Sequence, residues 1–323
     1  MSDGSSSRPL APGPFVGVDL GATKILARTV DPGTGRAAGR QKSPTPAGGP
    51  LAVLDEVIAV VRRLDPTGAA VAVGVGVPGF VIDGRVVVRC ANIAGWDEPI
   101  DVAAYVGSAL DRPVVVANDV NCGALAEHRL GAGKGADDLL AVFVGTGVGG
   151  GIILGGSLVD GVRGMVGEIG HVTVATGGAL CGCGGLGHLE AYAGRAGIER
   201  RARERAATGQ RSRLVDLAGT GTIKARHIAR ALDEGDEVML ELMADAVDAL
   251  ALVIGNTATL LDLRHVVLGG GVVDKLGQPF VDQIVSSPSF GGLGPELCEL
   301  RLAQRLDDAG VAGAAILAAD LFG

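Results

Sequence analysis

The sequence predicts an α/β protein made of two halves that share one plan, with a small-molecule cleft between them. Three observations point there. Apolar runs of strand length alternate with segments of helical periodicity. A strand, glycine turn, strand pattern opens the chain as "FVGVDL", "GATK" and "ILARTVD", and returns about 125 residues later. The chain has 323 residues, more than one typical core accommodates.

The elements follow in order. "FVGVDL" is too short and too uniformly apolar for an amphipathic helix, so it reads as a buried strand. "GATK" supplies the turn and "ILARTVD" the second strand. The clusters "DPGTG" and "SPTPAGGP" mark loops. "LAVLDEVIAVVRRL" repeats its apolar residues at helical spacing. "AAVAVGVGVPGFVID" reads as a buried strand ending in a Pro-Gly turn. "PIDVAAYVGSAL" reads as a helix, "PVVVAND" as a buried strand, and "VNCGALAEHRLG" as the helix after it.

The opening pattern then recurs. "DLLAVFVG" is a strand, "TGVGG" a turn and "GIILGGSLV" a strand. "EVMLELMADAVDALALVIGNTATLL" predicts a long, largely buried helix. "RHVVLGGGVVD" is a strand running into three glycines, and "AGVAGAAILAADLFG" is an Ala-rich helix. The Arg-rich piece "RAGIERRARERAATGQRSR" reads as a solvated helix and the loop after it.

Composition narrows the function. Hydrophobic residues make up 47% and aromatics 3%, so the cores are built from Val, Leu, Ile and Ala. A net charge of −8 leaves no basic footprint for nucleic acid. Residues 1–14 are polar and rich in Pro, Gly and Ser; without an apolar core they predict a disordered leader rather than a signal peptide. No run reaches the roughly 18 apolar residues of a membrane span. Five cysteines are too few, and odd in number, for a disulfide scaffold. A reducing cytoplasm is expected, where the Cys181-x-Cys183 pair suits metal or redox chemistry better than a bridge.

The two glycine turns carry the first chemistry. "GTGVGG" (145–150) matches a dinucleotide pattern, but its sequel "GIILGG" reads as a strand where that pattern needs a helix. A glycine hairpin tip instead offers backbone N–H groups to an anion. "DLGATK" has the same design: Asp19 is available to a metal ion, and Thr23 and Lys24 can reach phosphate oxygens.

With "GVDLGATK", "GVGVPG", "NIAGW", "NDVNCGALAE", "GTGVGGG", "GEIGH", "CGCGGLGHLE" and "LGGG" in this order, the chain resembles the ROK family from Val16 nearly to its end. That family comprises sugar kinases and related repressors of the actin/hexokinase-like (ribonuclease H-like) superfamily. The resemblance implies a two-lobed duplicated fold that closes on its substrate, and ATP-dependent phosphorylation of a hexose. It implies that Asp19, Gly21, Ala22, Thr23 and Lys24, with Gly145, Thr146, Gly147, Gly149 and Gly150, clasp the phosphates of ATP with Mg2+. Gly269, Gly270 and Gly271 would lie beside the adenosine. Gly79, Asn92, Asn118, Asp119, Glu168, His171 and Glu190 match the sugar positions, with Asp119 as catalytic base.

The residue types suit those roles. Carboxylates and amides offer several hydrogen-bonding sites to a ring of hydroxyls. Phosphoryl transfer needs positioning and charge neutralisation, plus one group to accept the hydroxyl proton. Asp119, at the end of "PVVVAND", can do that; its local alternative is the N-cap of the next helix. Cys181, Cys183 and His171 form three ligands of an expected structural zinc. The fourth is His188, where the family normally places a third cysteine. Such a zinc would hold His171 and the loop delivering Glu190.

The expected organisation is a small lobe at 15–118, joined by the C-terminal helix at 305–323, and a large lobe at 119–304 carrying the zinc loop. Glucose, phosphorylated at its 6-hydroxyl, is the first substrate expected. A kinase for N-acetylmannosamine, N-acetylglucosamine or fructose is the alternative, and polyphosphate is an alternative donor. A repressor is disfavoured because only a short leader precedes Asp19. A catalytically dead sugar binder is disfavoured because Asp119 and the phosphate glycines are present. A homodimer or homotetramer is expected, with no nucleic-acid or membrane partner.

Overall fold

The computed structural model describes residues 13–90, 93–291, 298–304 and 308–323. Residues 1–12 of the expected leader, and Asn92, lie outside that range. The chain forms two compact units. One comprises the described residues of Met1–Leu130, Leu158–Val166 and Asp307–Gly323; the other comprises those of Gly131–Ser157 and Gly167–Leu306.

The first unit holds β1 (Phe15–Leu20), β2 (Lys24–Val30), β3 (Ala37–Pro44) and α1 (Pro50–Leu64). Next come β4 (Val73–Val77), β5 (Phe80–Ile82), β6 (Val86–Arg89) and β7 (Ile100–Asp101). α2 (Val102–Leu110), β8 (Val114–Asn118) and α3 (Asp119–Leu130) follow, and the C-terminal helix (Ala309–Phe322) completes it. The main sheet runs β3-β2-β1-β4-β8. β1 pairs antiparallel with β2 and parallel with β4, and β4 pairs parallel with β8.

α1 starts on Pro50, whose missing N–H costs nothing in a first turn, and ends on Arg62 and Arg63, which complement its dipole. It buries Val53, Leu54, Val57, Val60 and Val61 in the same cluster as Val16, Val18, Val73 and Val75. α2 starts at Val102, later than "PIDVAAYVGSAL" suggests. Asp101 accepts from Ala104 N–H at 2.8 Å and caps the helix, while Ile100 and Asp101 pair with β6.

The C-terminal helix touches the sheet almost backbone to backbone. A Cβ on Gly17 would lie 1.9 Å from Val311 O, and one on Gly74 1.8 Å from Ala314 O. From the helix side, a Cβ on Gly313 would lie 1.7 Å from Cys122 O in α3. Small residues on both faces permit this approach. Gly313→Val is therefore expected to destabilise the protein by roughly 3 kcal/mol, since rigid backbone cannot make room. A thermal unfolding midpoint equal to that of the unsubstituted protein would contradict it.

This contact also moves the expected boundary. The first unit runs through Leu130 rather than stopping at 118, because α3 packs on the C-terminal helix. Leu158–Val166 joins it as well. Gly164, with φ +63°, has Val81 O 1.9 Å from where a Cβ would stand.

The second unit opens with β9 (Leu139–Val144), β10 (Val148–Leu154) and β11 (Ser157–Leu158). Then come α4 (Leu189–Ala193), α5 (Arg195–Ala207), α6 (Arg213–Ala218), α7 (Ala225–Asp233) and α8 (Glu237–Leu261). β12 (His265–Gly269), α9 (Gly271–Leu276), α10 (Gln278–Ser286) and β13 (Glu299–Leu302) close it. Its sheet runs β11-β10-β9-β12-β13. Strands β9 and β10 form the antiparallel hairpin, while β12 pairs parallel with β9 and β13. Counted within its own sheet, each five-stranded sheet thus has strand order 3-2-1-4-5, as expected of a duplication. α8 spans the predicted segment because Asp236 caps its N-terminus, accepting from Val238 and Met239 N–H, and Asp262 ends it in a left-handed conformation. Among the described residues no helix is long and apolar enough to cross a membrane.

Candidate active site

In the first unit, the carboxyl ends of three parallel strands gather the acidic residues. Asp19 on β1 is in register with Gly76 on β4, and Gly76 with Ala117 on β8. Ligand sites in α/β proteins gather at such strand ends. Burial pushes the Asp19 carboxyl above its ordinary value, and Lys24 opposes this. The turn at 21–23 is closed by Gly21 N–H on Lys24 O at 2.9 Å. Thr45 steadies it, its hydroxyl donating to Gly21 O at 2.6 Å and its N–H to Thr23 O at 3.2 Å.

Asn118 ends β8 and caps α3. Its Oδ1 accepts from Val120 N–H at 2.8 Å and Asn121 N–H at 3.2 Å, and its Nδ2 donates to Gly79 O at 3.2 Å. The cap that local sequence offers to Asp119 thus belongs to Asn118. Asp119 stands in the first turn, one oxygen 2.9 Å from Val120 N. Buried Cys122 has its thiol pushed well up by burial and then by Asp119, Asp19 and Asp160. Sequence reading missed Asp160, whose own carboxyl burial raises. No motif marks it; only folding of Leu158–Val166 onto the first unit brings it there.

In the second unit, the glycine turn is shorter than expected. β10 begins at Val148, so Gly149 and Gly150 are strand residues opposite Phe143 and Val142. Gly150 serves close packing: its N–H donates to Gly167 O at 2.9 Å, and a Cβ would meet Ile169 Cδ1 at 2.9 Å. The tip is Gly145–Thr146–Gly147. The first two N–H groups of α5 hold it, Arg195 N–H on Gly145 O at 3.1 Å and Ala196 N–H on Thr146 O at 2.9 Å. Arg195 Nη2 donates to Thr146 Oγ1 at 2.7 Å. Gly269 ends β12, Gly270 turns at φ +90° and Gly271 opens α9.

Glu190, on α4, reaches back to this tip, where its Oε2 accepts Val148 N–H at 3.0 Å. Glu168 lies beside His171, Oε2 to Nε2 3.7 Å. Burial raises the Glu168 carboxyl, His171 lowers it and Glu190 raises it. His171 turns its other nitrogen, Nδ1, to Cys181 Sγ at 3.8 Å. Cys183 Sγ lies 3.3 Å from His188 Nδ1. One ligand atom from each of His171, Cys181, Cys183 and His188 lies within 4.8 Å of the other three. Ligands around tetrahedral zinc stand about 3.6 Å apart, so this soft N2S2 set fits that ion. Without a cation, burial pushes the Cys181 thiol up to about 11.

The Arg-rich α5 is more than a solvated face. Arg200 donates to Leu180 O, and Arg201 pairs with Asp245 and lies over the Tyr192 ring at 4.7 Å. The Tyr192 hydroxyl accepts Ala179 N–H at 3.0 Å. These side chains brace the loop that carries the two cysteines. Alternating Glu and Arg gave no local sign of it, because Leu180 and Asp245 lie 20 and 44 residues from their arginines.

Known proteins resemble the chain along nearly its whole length. The sequence model of the ROK family matches residues 15–321. A glucokinase of Streptomyces coelicolor is 36% identical over 313 residues, covering 94% of this chain and 96% of that protein. An N-acetylmannosamine kinase of Escherichia coli O157:H7 is 31% identical over 302 residues, covering 93% and 97%. The crystal structure of a ROK family glucokinase from Streptomyces griseus in complex with glucose and AMPPNP is 35% identical, with a TM-score of 0.79, covering 95% of this chain and 100% of that one.

Proposed function

The chain belongs to the ROK family, and from that premise we propose that it is an ATP-dependent hexose kinase converting glucose to glucose 6-phosphate. The observation that carries the chemistry is Asp119, directly after the carboxyl end of the parallel edge strand β8, with Asn118 taking the cap. Asp119 accepts the proton of the 6-hydroxyl as that oxygen bonds to the γ-phosphorus and ADP leaves. The turns at 19–24 and 145–147 present N–H groups, Thr23, Lys24 and Thr146 to the phosphates. Mg2+, when bound, neutralises phosphate charge, and Asp19 is the residue to hold it.

Asn118, Glu168, His171 and Glu190 grip the sugar hydroxyls. Zinc, when bound to His171, Cys181, Cys183 and His188, keeps the His171 ring fixed. Nδ1 of that ring faces Cys181 and Nε2 faces Glu168, so Nε2 is the nitrogen turned to the sugar side. A cytoplasmic homodimer or homotetramer belongs to the same proposal.

A panel of hexoses with ATP, read by ADP release, tests the substrate. Glucose is expected to give the highest kcat/KM. Faster turnover of N-acetylmannosamine would overturn glucose and favour the activity named for the 31% identical relative. Replacing ATP by polyphosphate, with the reaction read by glucose 6-phosphate formation, tests the donor.

A further inference from the structure

Sequence reading assigns Gly147 to the phosphate turn, where a side chain would be expected to weaken ATP use. Its surroundings differ from those of its neighbour. A Cβ on Gly145 would meet nothing within 4 Å, whereas one on Gly147 would lie 2.1 Å from Glu190 Oε2 and 2.9 Å from its Cδ. The missing side chain is the space in which the Glu190 carboxylate sits. That carboxylate is held by Val148 N–H, at 3.0 Å on Oε2. The N–H of Gly194 closes α4 on Glu190 O at 3.0 Å, so the backbone behind the carboxylate is held as well.

We propose that Gly147, although it stands in the nucleotide turn, is a positioning residue for the sugar, because its open face lets Glu190 dock beside the turn. The inference rests on Glu190 being a sugar ligand. Gly147 does not have a positive φ, so alanine suits its backbone. The atom in the way is the far end of a flexible side chain, so the substitution moves Glu190 rather than the fold. Sugar affinity falls because the carboxylate loses its N–H partner and its place.

The test measures glucose binding by calorimetry without nucleotide, and KM for ATP at saturating glucose. Gly147→Ala is expected to weaken glucose binding roughly tenfold or more, the worth of a hydrogen bond to a charged group, with KM for ATP little changed. Gly145→Ala is expected to do the reverse. Gly147→Ala behaving like Gly145→Ala overturns the proposal. A double-mutant cycle reads the contact itself even if a variant loses stability. Glu190→Asp shortens the side chain out of reach of Val148, so Gly147→Ala added to it is expected to cost little more. Full additivity overturns the proposal. Unchanged glucose affinity in Glu190→Asp alone removes Glu190 from the sugar site, and the inference falls with it. Weakened affinity in Glu190→Asp with none in Gly147→Ala leaves the sugar site standing and removes only the inference.

Discussion

Asp119→Asn is expected to lower kcat by roughly a hundred- to ten-thousand-fold, the usual worth of a positioned general base. Glucose affinity is expected to fall far less. The amide nearly preserves size and can still hydrogen-bond a hydroxyl, but it cannot take a proton. The fold survives the change because Asn118 carries the cap of α3 on Val120 and Asn121 N–H. Asp119→Ala separates the roles further, since it removes the hydroxyl contact along with the base. Rates are read by ADP release and affinity by calorimetry. Near-normal kcat in either variant would mean that another group accepts the proton, and Asp160 would be the next to replace. A matched loss of affinity and kcat would show that Asp119 binds rather than activates.

The proposed zinc centre carries the second large effect. Purified protein is expected to contain about one zinc per chain. His188→Ala leaves three ligands and is expected to lose the metal, with KM for glucose rising roughly ten- to a hundredfold, the worth of one or two charge-assisted hydrogen bonds. The segment 172–188 contains no helix or strand; it folds on itself through backbone bonds such as Val174 N–H on Gly187 O at 2.8 Å and Leu189 N–H on Val172 O at 2.9 Å, with isolated bridges between Thr173 and His188 and between Leu180 and Leu186. Its ends carry His171 and Glu190. Releasing the metal frees the His171 ring and loosens the support beneath Glu190. His188→Cys, which supplies a third thiolate in its place, is expected to keep zinc and glucose affinity. Metal analysis and glucose calorimetry check both variants. Zinc-free protein that binds glucose normally would remove the centre from the function.

What the sequence determined by itself is what depends on neighbours along the chain. Apolar runs of five to seven residues marked β1, β2, β8, β9 and β12, and 3.6-residue periodicity marked α1 and α8. The repeated hairpin foretold two sheets of one topology. The site residues were legible as types, since carboxylates, glycines, cysteines and histidines carry their chemistry wherever they fall. Strand β3 escaped notice because most of it is exposed, leaving no apolar alternation to read. β5, β6 and β7 are too short to show a period.

Tertiary structure alone decided how the residue types are used. Asn118 rather than Asp119 caps α3, because its Oδ1 reaches both Val120 and Asn121 N–H while its amide holds Gly79. Gly17, Gly74 and Gly313 are glycines because a helix from the far end of the chain lies against two strands and α3. The Glu190 carboxylate sits on Val148, 42 residues away in sequence. Apart from the local cap bonds of Asn118, each is a contact between segments distant in the chain, the hold of Asn118 on Gly79 included. Local sequence sets the conformations available to each segment, but the packing that brings two such segments together selects the side chain that meets each backbone group.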